Sequence, residues 1–188
     1  KQYDEKAKMF VVPADHLIEN VDEFTKVVNT GLKFVEDKDA IVTLGIVPSH
    51  PETGYGYIQF IEDAFYKAEK DDVNIYRVKT FAEKPSLETA KIFLESGDFL
   101  WNSGMFIFRA DTMLKQMSEL LPDLYHAMQK VEKAIHTQKY QQVLEQVFAE
   151  IKGISIDYGI MEKAKNVFVI KADLKWSDLG SWDEVYRL

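Results

Sequence analysis

The chain has 188 residues and no cysteine. A disulfide framework, a thiolate nucleophile and a Cys-ligated zinc are thereby excluded, and nothing marks an oxidising compartment. Positive charge is also scarce: 23 Lys and Arg stand against 31 Asp and Glu, for a net charge of −8. That is the wrong sign for a general nucleic-acid surface, which gains affinity by releasing counterions to clustered Lys and Arg. No apolar run approaches the roughly 20 residues of a membrane-spanning helix. The opening "KQYDEKAKMF" is charged where a secretory signal would be apolar, so the cytoplasm is the expected compartment and neither membrane nor nucleic acid is an expected partner. Internal repeats, low-complexity tracts and linkers are lacking too. What is present, 46% hydrophobic and 13% aromatic residues, is the composition of one globular domain over residues 1–188.

Short apolar runs alternate with helical patterns. Met9 to Val12 reads as a buried strand broken at Pro13. Asn20 with Glu23 three residues on reads as a capped helix start, followed by Val21, Phe24, Val27, Val28, Leu32 and Val35. Ala40 to Pro48 is a near-continuous apolar run, suited to a sheet covered on both faces. A strand region from Val73 stops at Pro85, and Ser86 caps a helix that Gly97 ends. Ser103 to Ala110 reads as a strand, with Asp111 capping the next helix. Residues 122–150 read as amphipathic helix, and Asn166 to Ala172 as the last strand. This interleaving predicts an α/β fold, a mixed sheet with flanking helices. In such folds ligands sit beyond the carboxyl ends of the strands.

Polar clusters fall at those ends. Asp15 in "VVPADH" follows a strand and reads either as a ligand for a metal-phosphate or as the cap of the next turn; His16 beside it lacks metal-ligand spacing and reads as a hydrogen-bonded structural residue. In "HPETGYGYI", Gly54 and Gly56 around Tyr55 would let backbone approach a ligand, or simply make a turn. The loop is neither a P-loop nor a dinucleotide fingerprint. In "TFAEKP", Glu83 could accept from sugar hydroxyls and Lys84 could meet a phosphate, or the two could be a solvated ion pair. Asn102 in "LWNSGMFIF" offers a donor and an acceptor to a polyol, or an Asx-type turn. "SIDYGIMEKA" reads as a capped helical turn presenting Asp157, Tyr158 and Glu162, each of which could be structural. Asp178 in "WSDLGSW" is a second strand-end carboxylate, of the hard-oxygen kind that a divalent cation on a phosphoryl substrate takes.

In this order, "PADH", "GIVPSHPETGYGYI", "FAEKP", "WNSGMFIF", "SIDYGIMEK" and "WSDLGSW" resemble the mannose-1-phosphate guanylyltransferases, sugar-nucleotide enzymes that make GDP-mannose. The resemblance runs from about Met9 to Tyr186. It implies a Rossmann-like nucleotide-diphospho-sugar transferase fold. It also implies attack by the phosphate oxygen of mannose 1-phosphate on the α-phosphorus of GTP, releasing pyrophosphate. Asp15 and Asp178 would be the Mg²⁺ ligands and, with Lys84 beside the sugar phosphate, the catalytic group. Gly54, Tyr55, Gly56, Glu83 and Asn102 would bind the sugar, Gly56 by its backbone. Positioning and charge neutralisation would carry the catalysis, so the lack of a nucleophilic triad is expected.

The family's Gly-rich nucleotide-binding segment precedes "PADH", and no such loop occurs among the eight residues before Met9. The chain is therefore expected to be the sugar-phosphate and metal side of a catalytic domain, cut at both ends and lacking its N-terminal strands. It would expose apolar edges and be inactive alone. Another sugar-1-phosphate nucleotidyltransferase, such as a glucose-1-phosphate thymidylyltransferase, is the nearest alternative. A non-catalytic sugar-nucleotide-binding module is a more distant one, and homo-oligomerisation is left open.

Overall fold

Every residue of β3 (Ile41–Ile46) is buried, as its continuous apolar run requires of a strand sandwiched between two layers. The computed structural model describes residues 4–68, 73–180 and 182–186, and β3 lies in the middle of a six-stranded mixed sheet ordered β1-β6-β3-β7-β5-β4. The other members are β1 (Lys8–Val11), β4 (Tyr57–Lys67), β5 (Asn74–Ala82), β6 (Phe99–Arg109) and β7 (Val167–Ala172), and β2 (Leu17–Ile18) pairs separately with β8 (Trp176–Ser177). Strand β7 runs parallel to β3, from Ile41 opposite Val167 to Ile46 opposite Ala172, whereas β6 is antiparallel to β3. Because β4 pairs with β5 on one side and with the start of β6 on the other, β3, β7, β5, β4 and β6 form a closed circuit of pairings. This α/β architecture is the one expected.

Side-chain alternation splits the core between the two faces. Val42, Leu44, Ile107 and Ile170 meet α1 (Val21–Phe34) through Val27 and Val35, while Ile41, Phe106, Phe108 and Val167 meet α3 (Ala110–Leu120) and the short turn η1 (Asp157–Met161). Helix α1 starts where its cap requires: the Asn20 side-chain oxygen accepts from the Glu23 amide at 3.3 Å. Helix α2 (Leu87–Ser96) is capped by Ser86 and ends at Gly97, whose φ of 77° is the left-handed geometry glycine adopts without strain. None of the described helices is long and apolar enough to cross a membrane. The segment read as a buried strand from Met9 to Val12 is instead the outer strand β1, paired on one side only, and it leaves Met9 and Val11 exposed.

Several local readings are corrected. Strand β4 was not anticipated, because its second half is exposed and carries "EDAFYK" with no clean alternation. Strand β6 starts at Phe99, four residues before Ser103. Asp111 does not cap α3: it lies in the first turn and chelates Arg109, with Nε and Nη2 donating at 2.9 and 2.8 Å. Residues 122–150 divide into α4 (Pro122–Ala134) and α5 (Tyr140–Glu150), separated by His136 at φ 71°.

Gly45 lies where β3 shifts register against β6. A Cβ there would meet Leu100 Cδ1 and Val169 Cγ2 at 2.7 Å each, whereas at Gly31 of α1 it would meet Ile107 Cδ1 alone below 3.0 Å. Gly45→Ala is therefore expected to cost about 1–3 kcal/mol through overpacking. Gly31→Ala should cost less, since the tip of one side chain can turn away and alanine favours the helix. Urea melts of the two variants check this ranking.

Candidate functional site

Strands β3 and β7 are parallel, so their carboxyl ends share one edge of the sheet, and the segments leaving them carry the conspicuous motifs. The start of β4 assembles the first part. Its initial residue, Tyr57, is paired with Ala82 of β5 and with Trp101 of β6. One residue further out, antiparallel geometry sets Gly56 beside both Glu83 and Asn102, and the Asn102 amide donates to the Gly56 carbonyl at 2.8 Å. Gly56 serves here by its size rather than by an unusual φ. A Cβ on it would lie 2.6 Å from Glu83 Oε2 and 3.5 Å from Asn102 Cβ, so a larger residue would drive the carboxylate out of place.

The "WNSG" motif is a bulge inside β6. Where the β3–β6 register shifts, the buried Ser103 hydroxyl donates to the Leu44 carbonyl at 2.6 Å, and Gly104 takes φ 70°. Asn102 therefore sits within the strand rather than in a turn leading to it. The Asx-type bond is nevertheless present: Asn102 Oδ1 accepts from the Gly104 amide at 3.2 Å and from the Thr43 hydroxyl at 3.4 Å. Its amide nitrogen points the other way and donates to Asp157 Oδ1 at 2.9 Å.

The rest of the loop holds itself in place. Glu52 Oε1 accepts from the amides of Thr53 and Gly54 at 2.7 Å each. The Gly54 amide, with that of Thr53 and the nearby His50, keeps the Glu52 carboxyl below its ordinary range despite partial burial. Gly54 is exposed and its amide is already used, so its observed role is in the loop's fold. Tyr55 turns toward the second part of the site, where its hydroxyl donates to Asp178 Oδ1 at 2.9 Å.

That second part is the β2–β8 ribbon. Leu17 faces Ser177 and Ile18 faces Trp176, so Asp15, two residues before Leu17, and Asp178, one residue after Ser177, leave the same end of the ribbon. Trp176 ties the two strands together: its indole nitrogen donates to His16 Nδ1 at 3.0 Å and its ring meets His16 edge-on at 5.2 Å. Tyr55 packs edge-on against both Trp176 and Trp101, with centroids at 5.2 and 5.3 Å. Of the two tryptophans in "WSDLGSW", only Trp176 is a packing anchor; Trp182 is 81% exposed, and Ser181 lies outside the described residues. The left-handed turn residue is Leu179 at φ 53°, while Gly180 donates its amide to Asp178 Oδ1 at 2.9 Å. Among the described residues no group of three or more acidic or histidine side chains forms a metal cage. Two carboxylates leaving one end of a ribbon do fit a magnesium ion that takes one or two carboxylates and completes its shell with water and substrate phosphate.

Burial raises the Glu83 carboxyl above its ordinary range. The charge of Asp157 adds to the rise, Lys84 opposes it, and Glu162 adds a little more. Lys84 Nζ lies 3.6 Å from Glu83 Oε1 on a 64% exposed side chain, so the pair is solvated on the lysine side. Lys84 itself sits at φ 45° immediately before Pro85, a backbone state that costs a non-glycine residue energy and recurs at functional sites. A cavity of about 960 Å³ opens on the Leu121, Lys152, Ser155 and Tyr158 side of Glu83 and Lys84; Gly56, Asn102 and Asp178 do not line it. Asp157 was left open between structural and functional roles in the sequence, and the structure brings it against Asn102 and near Glu83.

A carboxyl raised by folding destabilises the folded state above its folded pKa, and the penalty vanishes below the ordinary pKa of a glutamate. Glu83→Gln is therefore expected to raise Tm near neutral pH, with the gain fading as pH falls from the raised pKa toward the ordinary glutamate value and gone below it. Thermal melts across pH check this.

Comparison with known proteins places this geometry. The family model described as nucleotidyl transferase matches residues 1–188. A curated mannose-1-phosphate guanylyltransferase of Salmonella montevideo is 40% identical over 97% of the chain and 38% of its own length, and one of Sinorhizobium fredii is 38% identical over 99% and 35%. The chain thus spans well under half of these relatives. Among solved structures, a Thermus thermophilus protein described as mannose-1-phosphate geranyltransferase superposes with a TM-score of 0.79 at 34% identity, over 96% of this chain and 49% of that one. With a family match over its whole length and a sheet that superposes on such a relative, this chain belongs to the nucleotidyl transferase family.

Proposed function

We propose that this chain supplies the sugar-phosphate and metal side of a cytoplasmic mannose-1-phosphate guanylyltransferase, which transfers GMP from GTP to mannose 1-phosphate and releases pyrophosphate. The observation that carries the reading is the convergence of Gly56, Glu83 and Asn102 at one corner of the sheet. The preceding residue of the same loop, Tyr55, reaches Asp178. The name shared by the relatives favours mannose over the glucose 1-phosphate of a thymidylyltransferase. Retention of both carboxylates with Glu83 and Lys84 argues against a non-catalytic module.

In this reading Gly56 forms a flat backbone wall against the sugar ring, and Glu83 and Asn102 hydrogen-bond its hydroxyls. Lys84, on its exposed stem, meets the phosphate as a compact charge. Asp15 and Asp178 would hold Mg²⁺, which when bound supplies charge neutralisation between two polyanionic substrates. Tyr55 and the Gly180 amide both donate to Asp178 Oδ1, which fixes the carboxylate that would hold the ion. Two anions are thereby held for in-line attack, and no covalent step on the protein is needed. The guanine and triphosphate contacts belong to the remainder of the protein.

Two substitutions test the reading in the intact protein. Asp178→Asn should abolish Mg²⁺-dependent binding of GDP-mannose, measured by calorimetry with and without EDTA; unchanged binding would return Asp178 to an ordinary turn residue. Gly56→Ala should lower kcat/KM for mannose 1-phosphate on the order of 10²-fold, because displacing Glu83 misplaces the sugar.

A further inference from the structure

Asn102 is less free to recognise a sugar than its amide suggests. Both acceptor positions of Oδ1 are taken, by the Gly104 amide and the Thr43 hydroxyl, and one of its two N–H groups is taken by Asp157. One donor remains. A hexose presents hydroxyls that must also donate, so the acceptors around Asn102 have to come from elsewhere, and two carboxylates flank it. Glu83 lies against Gly56, and Asp157 lies against the Asn102 amide.

Asp157 is held as firmly as a site residue needs to be. It opens η1, a five-residue π-helical turn in which the Glu162 amide donates to the Asp157 carbonyl at 3.0 Å. Beneath it Gly159, Ile160 and Met161 are buried, and a Cβ on Gly159 would stand 3.0 Å from Leu121 Cδ1. The Ser155 hydroxyl accepts from the Tyr158 amide at 3.3 Å and fixes the approach to the turn. Single π turns recur at functional sites. Here the side chain at its start is a carboxylate whose Oδ2 takes no hydrogen bond among the described residues. It is brought close enough to Glu83 for its charge to act on that carboxyl.

We propose that Asp157 is a specificity-determining residue of the sugar subsite: it accepts a hydrogen bond from one hydroxyl of a hexose 1-phosphate while Glu83 accepts from a neighbouring hydroxyl, with the remaining Asn102 N–H donating between them. The proposal rests on the reading of Gly56, Glu83 and Asn102 as that subsite. Two carboxylates facing one gap repel each other when it holds no donors, and a pair of sugar hydroxyls relieves the repulsion by donating to both. The gap therefore takes the hydroxyl groups of the ligand rather than its phosphate, which is left to Lys84. Glu83 also faces Glu162 and Lys84, so its titration reports on the whole cluster.

The test is titration calorimetry of mannose 1-phosphate into the intact protein, its Asp157→Asn variant and its Glu83→Gln variant, across pH. Asparagine at 157 still accepts from Asn102, so the fold is kept, and a Tm within a few degrees of the parent verifies it. Asp157→Asn is expected to weaken binding by about tenfold or more, the size of a lost hydrogen bond to a charged group. It should also move the acid-side loss of affinity to lower pH, because Glu83 no longer faces a second negative charge. The ligand's own phosphate titrates alike in both proteins and cancels. Affinity within twofold of the parent, or weaker binding with the acid limb unmoved, would overturn the proposal; the latter would mean that Asp157 acts only by holding Asn102. If Glu83→Gln also leaves affinity unchanged, the sugar subsite itself is wrongly placed; if Glu83→Gln weakens binding and Asp157→Asn does not, only the role of Asp157 falls.

Discussion

The position at which Tyr57 enters the sheet governs the site. Tyr57 is fully buried and paired on both sides, with Ala82 and with Trp101, and a slip of one residue in either pairing would turn every side chain of that strand to the opposite face. The register is thus locked by the core, and it delivers Gly56, Glu83 and Asn102 to one place, where the Asn102 amide donates to the Gly56 carbonyl. The hydrophobic effect, which is indifferent to sugars, determines where the polar groups meet.

The second joint is aromatic. Trp101, next to Asn102, touches Tyr55, which touches Trp176, which holds His16. This file of rings spans from the closed circuit of strands to the separate β2–β8 ribbon, so the ribbon's carboxylates are positioned relative to the sheet by edge-to-face contacts. Tyr55 is at once part of that file and the donor to Asp178, and its neighbour Gly56 lies beside Glu83 and Asn102, so one short loop touches both parts of the candidate site.

Most of the architecture was legible from pattern. The all-buried run of β3, the Asn20 and Ser86 caps and the Gly97 stop each rest on strong local physics and stand where expected. Strand β4 was not legible, because a strand that twists out into solvent loses the alternation by which strands are recognised. Asp111 was misread because a salt bridge to Arg109 outcompeted its capping role. At the site, the residue types were visible and their grouping was not. Asp157 lies 55 residues from Asn102 in the chain, and nothing in "SIDYGIMEKA" alone announces which of its polar residues a π turn will aim inward. Of the two tryptophans of "WSDLGSW", Trp176 has a strand partner to hold it, whereas Trp182 is exposed.

In the proposed function the corner set by Tyr57 binds the sugar. A crystal structure of the intact protein with mannose 1-phosphate tests it most directly. The sugar ring should lie against the Gly56 backbone with hydroxyls in hydrogen-bonding contact with Glu83. Density for the ligand in the neighbouring cavity beside Leu121 and Tyr158, with Gly56 untouched, would contradict the account.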